Sequence, residues 1–485
     1  MLLSELLSGL EYRLYGIAPD TDITRPFSDS RNAVGGGLFI CIRGEKKDGH
    51  DFASLAIKEG AVAAVTKERI EGVPCVVVDD TRYASAVIWN NFYGRPAEGM
   101  RLAGVTGTCG KTTVAALLSA CLKEDGRRVG VMGTLGCFAE GQRIDCSGCE
   151  KADTCAAMTT PDPEFLYKTL AEFKRRGVTD VVMEVSSHAI LQRKIDPLRF
   201  FVTVFTNLSP EHLDAHKTME EYFRVKASFV ARGERRVVNC DNSYCLRFAK
   251  AVPSVCITAR MAENIAESGG KTSYDLSLPG GRLHIESRLL GDFTVENTML
   301  ASGAALCLGV EEKVVERAIS KVDGICGRME RACDRERWGF DVIIDYAHTP
   351  DSLERALKSL RVSTKGRLIC VFGCGGDRDR AKRPLMGAVA ERYADKVVVT
   401  SDNSRSESTL LIIRDILSGI KSDKCIVIPV RRDAIFAAVC TAEEGDTVLL
   451  AGKGHERYEI MGNIRSFFDE KEIINEALRA RAAND

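Results

Sequence analysis

The run Gly107-Thr108-Cys109-Gly110-Lys111-Thr112-Thr113 contains the residue types that hold a polyphosphate. Glycines let backbone N–H groups turn toward an anion, and a helix start adds positive potential. The lysine reaches terminal phosphates and the first threonine can ligate Mg²⁺. The longer form of this motif needs a glycine where Val105 stands, so only Gly-x-x-Gly-Lys-Thr is present. A second group follows the apolar run VVM: Glu184, Ser186, Ser187 and His188. A carboxylate at the end of such a strand can hold Mg²⁺. A third is the loop Asn207 to His216, which crowds His212 and His216 together with Glu211 and Asp214. Lys226 lies in EEYFRVKASFV, an amphipathic helix that would ordinarily expose a lysine.

These groups need a scaffold that delivers them to one edge. Apolar strands alternating with amphipathic helices supply it. The pattern predicts strands over 102–106, 129–132, 181–185 and 201–206, with helices over 112–124 and 163–175. That alternation gives an α/β protein whose central domain is a phosphate-loop, doubly wound parallel sheet. Ahead of it, a helix over 53–59 and strands over 62–66 and 75–80 form a small α/β domain, bounded by the Gly94-Arg95-Pro96 turn. Behind it, after the turn 324–330, strands over 342–345, 368–372, 396–400 and 447–451 form a Rossmann-like α/β domain. The expected domains are therefore 1–98, 99–325 and 326–485, with a hinge at 325–328, in keeping with about 150 residues per domain.

Lys+Arg 67 against Asp+Glu 68 give a net charge of -1, so no general positive field recruits nucleic acid. No apolar run approaches the ~20 residues that span a bilayer. The segment MLLSELLSGLEYRL carries acids where a secretory signal is basic. A cytoplasmic protein without membrane insertion is expected, with its 18 cysteines reduced. Four of them, Cys137, Cys146, Cys149 and Cys155, lie in 136–157. They are read as loop variation, with a zinc-like site or a redox-sensitive loop as alternatives. Cys109, next to a helix start, is expected to have a lowered pKa.

The ordered runs TGTCGKTT (106–113), TTPD (159–162), MEVSSH (183–188), TNLSPEHLDAH (206–216), GRME (327–330), DYAHTPDSL (345–353), FGCGGDRDRAKRPLM (372–386) and AGKGHE (451–456) resemble those of the Mur ligases. They are most similar to the class that adds the third residue of the peptidoglycan stem peptide. FSDSR (27–31) and RGEKKDGHDF (43–52) resemble that class's uridine-nucleotide domain.

The resemblance implies an ATP-dependent, ADP-forming ligase that phosphorylates a carboxylate and lets an amine attack the acyl phosphate. It implies Mg²⁺ held by Thr112, Glu184, His212 and a carbamylated Lys226, with Lys111, Glu184, His212 and Lys226 catalytic. ATP would meet Gly107, Thr108, Gly110, Lys111, Thr112, Thr113, Asn297, Arg328, Asp345 and His348. The acceptor, UDP-N-acetylmuramoyl-L-alanyl-D-glutamate, would meet Ser30 with its neighbours Asp29 and Arg31, then Thr159, Thr160, Ser186, Gln192 and Lys194. The family commonly has arginine where Lys194 stands, so a planar fork is lost there. The added amino acid would meet Arg383, Asp402, Asn403, Arg405, Gly452 and Glu456.

Family members that use meso-diaminopimelate carry Asp-Asn-Pro-Arg, and here the run is Asp402-Asn403-Ser404-Arg405. Arg405 suits the second carboxylate of diaminopimelate, which L-lysine lacks. L-lysine or another diamine is the alternative within this chemistry. Outside it stand a phosphate-loop ATPase or kinase and a non-catalytic paralogue. The partners implied are small-molecule substrates, and the expected state is a monomer.

Overall fold

The computed structural model describes residues 1–44, 47–144, 158–211, 213–268, 271–333 and 335–483. Three sheets follow one another along the chain, each flanked by helices. The first has the strand order Arg13–Tyr15, Cys75–Val77, Ala63–Thr66, Leu38–Ile40, Pro26–Phe27, parallel except for the first pair. Its inner strands are buried throughout, as apolar runs in a parallel sheet covered on both faces must be. The helix Thr81–Phe92 starts at Asp80, whose side chain accepts the Arg82 and Tyr83 N–H groups. Through Ile88 and Trp89 this helix joins a single apolar core with Phe165, Leu166 and Leu170 of the helix Pro163–Arg175. Each such fully buried side chain stabilises by about 1.5–3 kcal/mol, so the first two layers are firmly docked.

The second sheet runs Val255–Ile257, Arg235–Asn239, Val202–Phe205, Arg101–Thr106, Asp180–Glu184, Val129–Gly133, then Gly136–Ala139 and Gln142–Arg143 as an antiparallel edge. The helices Lys111–Glu124 and Asp292–Cys307 pack on one face. The third sheet, ordered Glu330–Arg331, Asp341–Asp345, Thr447–Ala451, Leu368–Phe372, Lys396–Val399, Cys425–Val427, is parallel after its first strand. Apolar clusters cover both its faces.

The elements expected from periodicity occur within one to three residues of their expected ends. The antiparallel ribbon Ala262–Ser268, Lys271–Leu278, Gly281–Ser287 was not anticipated. Its alternation places Leu276, Leu278, Leu283 and Ile285 in the core with the helices Asp292–Cys307 and Glu312–Ser320, while the residues between them stay polar. No helix among the described residues is long and apolar enough to cross a membrane.

Candidate active site

The strand Arg101–Thr106 is the pivot of the second sheet. Glu184 stands level with Val105 on one neighbour, and Phe205 with Thr106 on the other. The phosphate loop therefore emerges between Glu184 and Asn207, at the carboxyl edge where strand order reverses and ligands of such sheets bind. Asn207 pins it: its Oδ1 accepts the Cys109 N–H at 2.9 Å and its carbonyl accepts the Thr108 N–H at 3.0 Å. Gly110 has φ 83°, and a side chain there would collide with Asn297 Oδ1. Lys111 Nζ donates to the Gly107 and Thr108 carbonyls at 2.8 Å each.

Glu184 is 2% exposed. Its carboxylate accepts the Thr112 hydroxyl at 3.0 Å and both the N–H and the hydroxyl of Thr134 at 2.9 Å. Among the described residues no ion pair neutralises it. Lys226, expected on an exposed helix face, is instead 1% exposed, because its face of the helix Met219–Val230 packs beneath the loop. Its Nζ donates to the Gly107 carbonyl at 2.8 Å. Burial, with Lys111 adding repulsion, pushes its pKa well below the ordinary lysine value. His212 lies outside the described residues.

The third sheet completes the site from the other side. Arg328 Nη2 donates to Thr112 Oγ1 at 3.3 Å, and its guanidinium lies 4.6 Å over the Tyr346 ring. Tyr346 in turn contacts His348 and His455, with ring centroids 4.7 and 5.1 Å away. Asp345 accepts the Met329 and Ala347 N–H groups at 2.8 Å, and burial raises its pKa. His348 Nε2 lies 3.4 Å from Glu211 of the central domain.

Asn403 Nδ2 donates to Glu456 at 2.8 Å, while Asn403 Oδ1 accepts from Lys453 Nζ at 3.1 Å and from the Ile460 N–H at 3.0 Å. Lys453 also lies 3.6 Å from Asp402. Burial opposes the charge on Asp402, yet Lys453 and Arg431 hold its pKa below the usual value. Gly452 has φ 114° and its α-carbon faces Asp402, so a side chain there would crowd the carboxylate. Ser404 is 4% exposed, with its carbonyl packed against Gly376, so the loop is tightly held without the family's proline. Arg405 Nη1 donates to the Gly376 carbonyl at 2.8 Å, and among the described residues no carboxylate pairs with it.

These parts meet around one cavity of about 560 Å³, lined by Lys111, Thr112, Glu184, Arg328, His348 and Glu456 among others. Thr108, Gly110, Thr113, Thr159, Asn297 and Asp345 also line it; Gly107 and Lys226 sit just beneath the loop. Asp402, Asn403, Arg405 and Gly452 are not in the wall, and Asn403 holds Glu456 from behind it.

The other expected residues take the following places. Arg383, expected at the amino acid, is buried with its guanidinium held by Glu407 and Asp415 at 2.8 and 2.9 Å, and it does not line the cavity. The Cys109 thiol is not lowered: burial, with Glu211 adding repulsion, raises it to about 11. Thr160 acts as a brace, its hydroxyl donating to the Glu184 carbonyl and accepting the Ser186 N–H. The Ser186 hydroxyl caps the helix Ser187–Leu191. Lys194 is buried and paired with Asp162 at 2.8 Å. Ser30 and Gln192 lie outside the cavity wall.

Cys137 sits on the strand Gly136–Ala139, whereas Cys146, Cys149 and Cys155 lie outside the described residues. Thr134, Asn207, Tyr346, Lys453 and His455 belong to the site without being among the residues expected there. The last four stand inside runs singled out above, TNLSPEHLDAH, DYAHTPDSL and AGKGHE, and Thr134 had no signal beyond a strand end.

The chain matches three family models in order: "Mur ligase family, catalytic domain" over residues 27–89, "Mur ligase middle domain" over 105–305 and "Mur ligase, glutamate ligase domain" over 327–454. It is 37% identical over 489 residues, 99% of each chain, to UDP-N-acetylmuramoyl-L-alanyl-D-glutamate–2,6-diaminopimelate ligase 1 of Clostridium acetobutylicum. It is 40% identical over 479 residues, 95% of this chain and 96% of the relative, to the corresponding ligase of Geobacillus kaustophilus. A solved structure of a UDP-N-acetylmuramoyl-L-alanyl-D-glutamate–2,6-diaminopimelate ligase superposes with TM-score 0.69 at 29% identity, covering 99% of both chains.

Proposed function

The chain belongs to the Mur ligase family, and from that membership we propose that it joins meso-diaminopimelate to UDP-N-acetylmuramoyl-L-alanyl-D-glutamate, consuming ATP and releasing ADP. The observation that carries this reading is that one cavity is lined both by the phosphate loop and by Glu456, which the Asp402 to Arg405 loop holds through Asn403. The same wall thus serves nucleotide chemistry and an ammonium-bearing substrate.

In this reading the loop N–H groups and Lys111 cradle the ATP phosphates, and Arg328 and Asn297 approach the nucleotide from the other side. Glu184 and Thr112 fit Mg²⁺ as oxygen donors: the carboxylate is buried, and among the described residues no cation pairs with it. Bound there, Mg²⁺ would neutralise charge on the transferring phosphoryl group. Lys226, desolvated and with its pKa pushed well below the ordinary lysine value, is suited to carbamylation, which turns a cation into an oxygen ligand. His212 would join the same set.

The chain's own part is mainly to position. Thr134 orients Glu184, Asn207 fixes the loop, and the linker brings Glu456 to the side from which the amine attacks. Glu456 takes the ammonium of the incoming amino acid, and Arg405 the carboxylate at its far end. Phosphorylation of the acceptor's terminal carboxyl gives an acyl phosphate. The amine adds to its carbonyl carbon, the C–O bond to phosphate breaks, and the proton leaves with solvent or phosphate. We place the ligase in the cytoplasm as a monomer, with boundaries near 98 and 325.

The test is ADP release with the muramyl dipeptide, comparing meso-diaminopimelate, L-lysine and no amine, with product mass confirmed. Diaminopimelate-dependent release is expected. Lysine-dependent release would overturn the part given to Arg405, and release indifferent to any amine would overturn the ligase.

A further inference from the structure

Arg193 ends the short helix Ser187–Leu191 and stands between Gln192 and Lys194. Its φ is 55°, the left-handed conformation in which glycine would sit without strain. The strain is offset by what the side chain holds. Its Nη1 lies 3.0 Å from Asp80 Oδ2 and its Nε 2.7 Å from Asp196 Oδ2, and the guanidinium lies 4.5 Å over the Tyr83 ring. Asp80 and Tyr83 belong to the start of the helix Thr81–Phe92, in the layer of the first sheet. Asp196 belongs to Arg193's own loop and is gripped from behind by Arg232 at 3.2 Å. Burial works against the Asp80 carboxylate, yet the Tyr83 N–H, Arg193 and the Arg82 N–H together hold its pKa below the ordinary value. A planar, forked, permanently charged group thus spans the two layers, meeting a carboxylate on each side and an aromatic face.

We propose that Arg193 is a positioning residue for the muramyl acceptor. It fixes the loop of Gln192 and Lys194 against the first domain, setting the span between the site for the uridine end and the site for the peptide end. The proposal rests on the ligase reading. A long substrate held at both ends gains affinity over its fragments only when the two half-sites are kept at a matching distance. The apolar core docks the two layers, and Arg193 sets where the loop lies on that docked surface.

The experiment compares wild type, Arg193→Ala, Arg193→Lys and Asp80→Asn for acceptor KM, ATP KM and inhibition by free UDP, which occupies only the uridine end. Asparagine still caps the helix at position 80 while removing the charge, so that variant keeps the question open if Arg193→Ala does not fold. Arg193→Ala is expected to raise acceptor KM about tenfold, the loss of two-ended binding, with UDP inhibition and ATP KM unchanged. Arg193→Lys should fall between, and Asp80→Asn combined with Arg193→Ala should add little to Arg193→Ala alone. Weakening of UDP inhibition in step with acceptor KM would overturn the proposal, since that marks damage to the first domain. So would an unchanged acceptor KM in both single variants. Wild type without amine-dependent turnover would instead overturn the ligase reading itself.

Discussion

Arg328 and Thr112 come from different domains and meet at 3.3 Å, the guanidinium donating to the hydroxyl that itself donates to Glu184 at 3.0 Å. The linker that carries Arg328 is also packed against the loop of Glu456: a side chain at Gly327 would strike the Gly454 and His455 backbone. Movement of the third domain would therefore shift Arg328 and Glu456 together.

That coupling predicts the behaviour of Arg328→Ala. A cationic donor aimed at the phosphoryl site is removed, and kcat should fall by roughly 10²- to 10³-fold, the usual size for one such group. Calorimetric binding of the muramyl acceptor should stay the same. A variant that turns over normally would show that the contact only tethers the domains.

Lys226 predicts its own modification. The amine is desolvated and its pKa lies well below the ordinary lysine value, which favours the neutral form that makes an N–C bond to CO₂ with loss of a proton. Intact mass recorded without acid should show one added CO₂. Lys226→Ala should lose about 10²-fold in rate or more, as expected when a ligand to the charge-stabilising ion is removed. A small carboxylic acid in the assay should restore part of it. Full activity with an unmodified lysine would sink the idea.

Burial decides which of these features could be read beforehand. The phosphate loop and Glu184 are local patterns, each visible in a stretch of fewer than ten residues, and the alternation of strands with helices is built from such local periodicities in succession. Lys226 was legible only by resemblance, since periodicity alone places a lysine outside. Its burial comes from the loop of a strand more than a hundred residues earlier. Thr134 had no pattern, because its use depends on Glu184 arriving from another strand. Cys109 differs from expectation because desolvation by the surrounding protein and repulsion from Glu211, which comes from another strand's loop, outweigh the helix start and raise its pKa.

His455 predicts a pH dependence of stability. Burial and the nearby Arg328 lower its pKa from 6.5 to about 4. Between those values the unfolded chain binds more protons than the folded one, so stability rises with pH. The contribution is complete above pH 6.5 and is lost as pH falls toward about 4. Urea midpoints across that window should drop on acidification, and His455→Gln should flatten the drop. Parallel slopes for the two proteins would place the titration elsewhere.

Arg383 and Arg405 look interchangeable in sequence, each a single arginine in a polar run, but their surroundings separate them. Arg383 already faces two carboxylates, Glu407 and Asp415, and is 0% exposed. Arg405 Nη1 donates to the Gly376 and Asn403 backbone carbonyls, and among the described residues no carboxylate lies within ion-pair distance of it. A guanidinium held in place by neutral acceptors still has its charge to offer, whereas one between two acids has none left over. Arg405→Ala should therefore raise the KM for diaminopimelate by roughly 10- to 100-fold, the range of one charge-assisted pair, with the KM for ATP little changed. Arg383→Ala should instead lower thermal stability, by about 3 kcal/mol at most, because it leaves two partly buried carboxylates without their partner. If the effects are exchanged, with Arg383→Ala raising the KM and Arg405→Ala only unfolding the protein, the amino acid must displace Glu407 on binding. The assignment of these two residues would then be reversed.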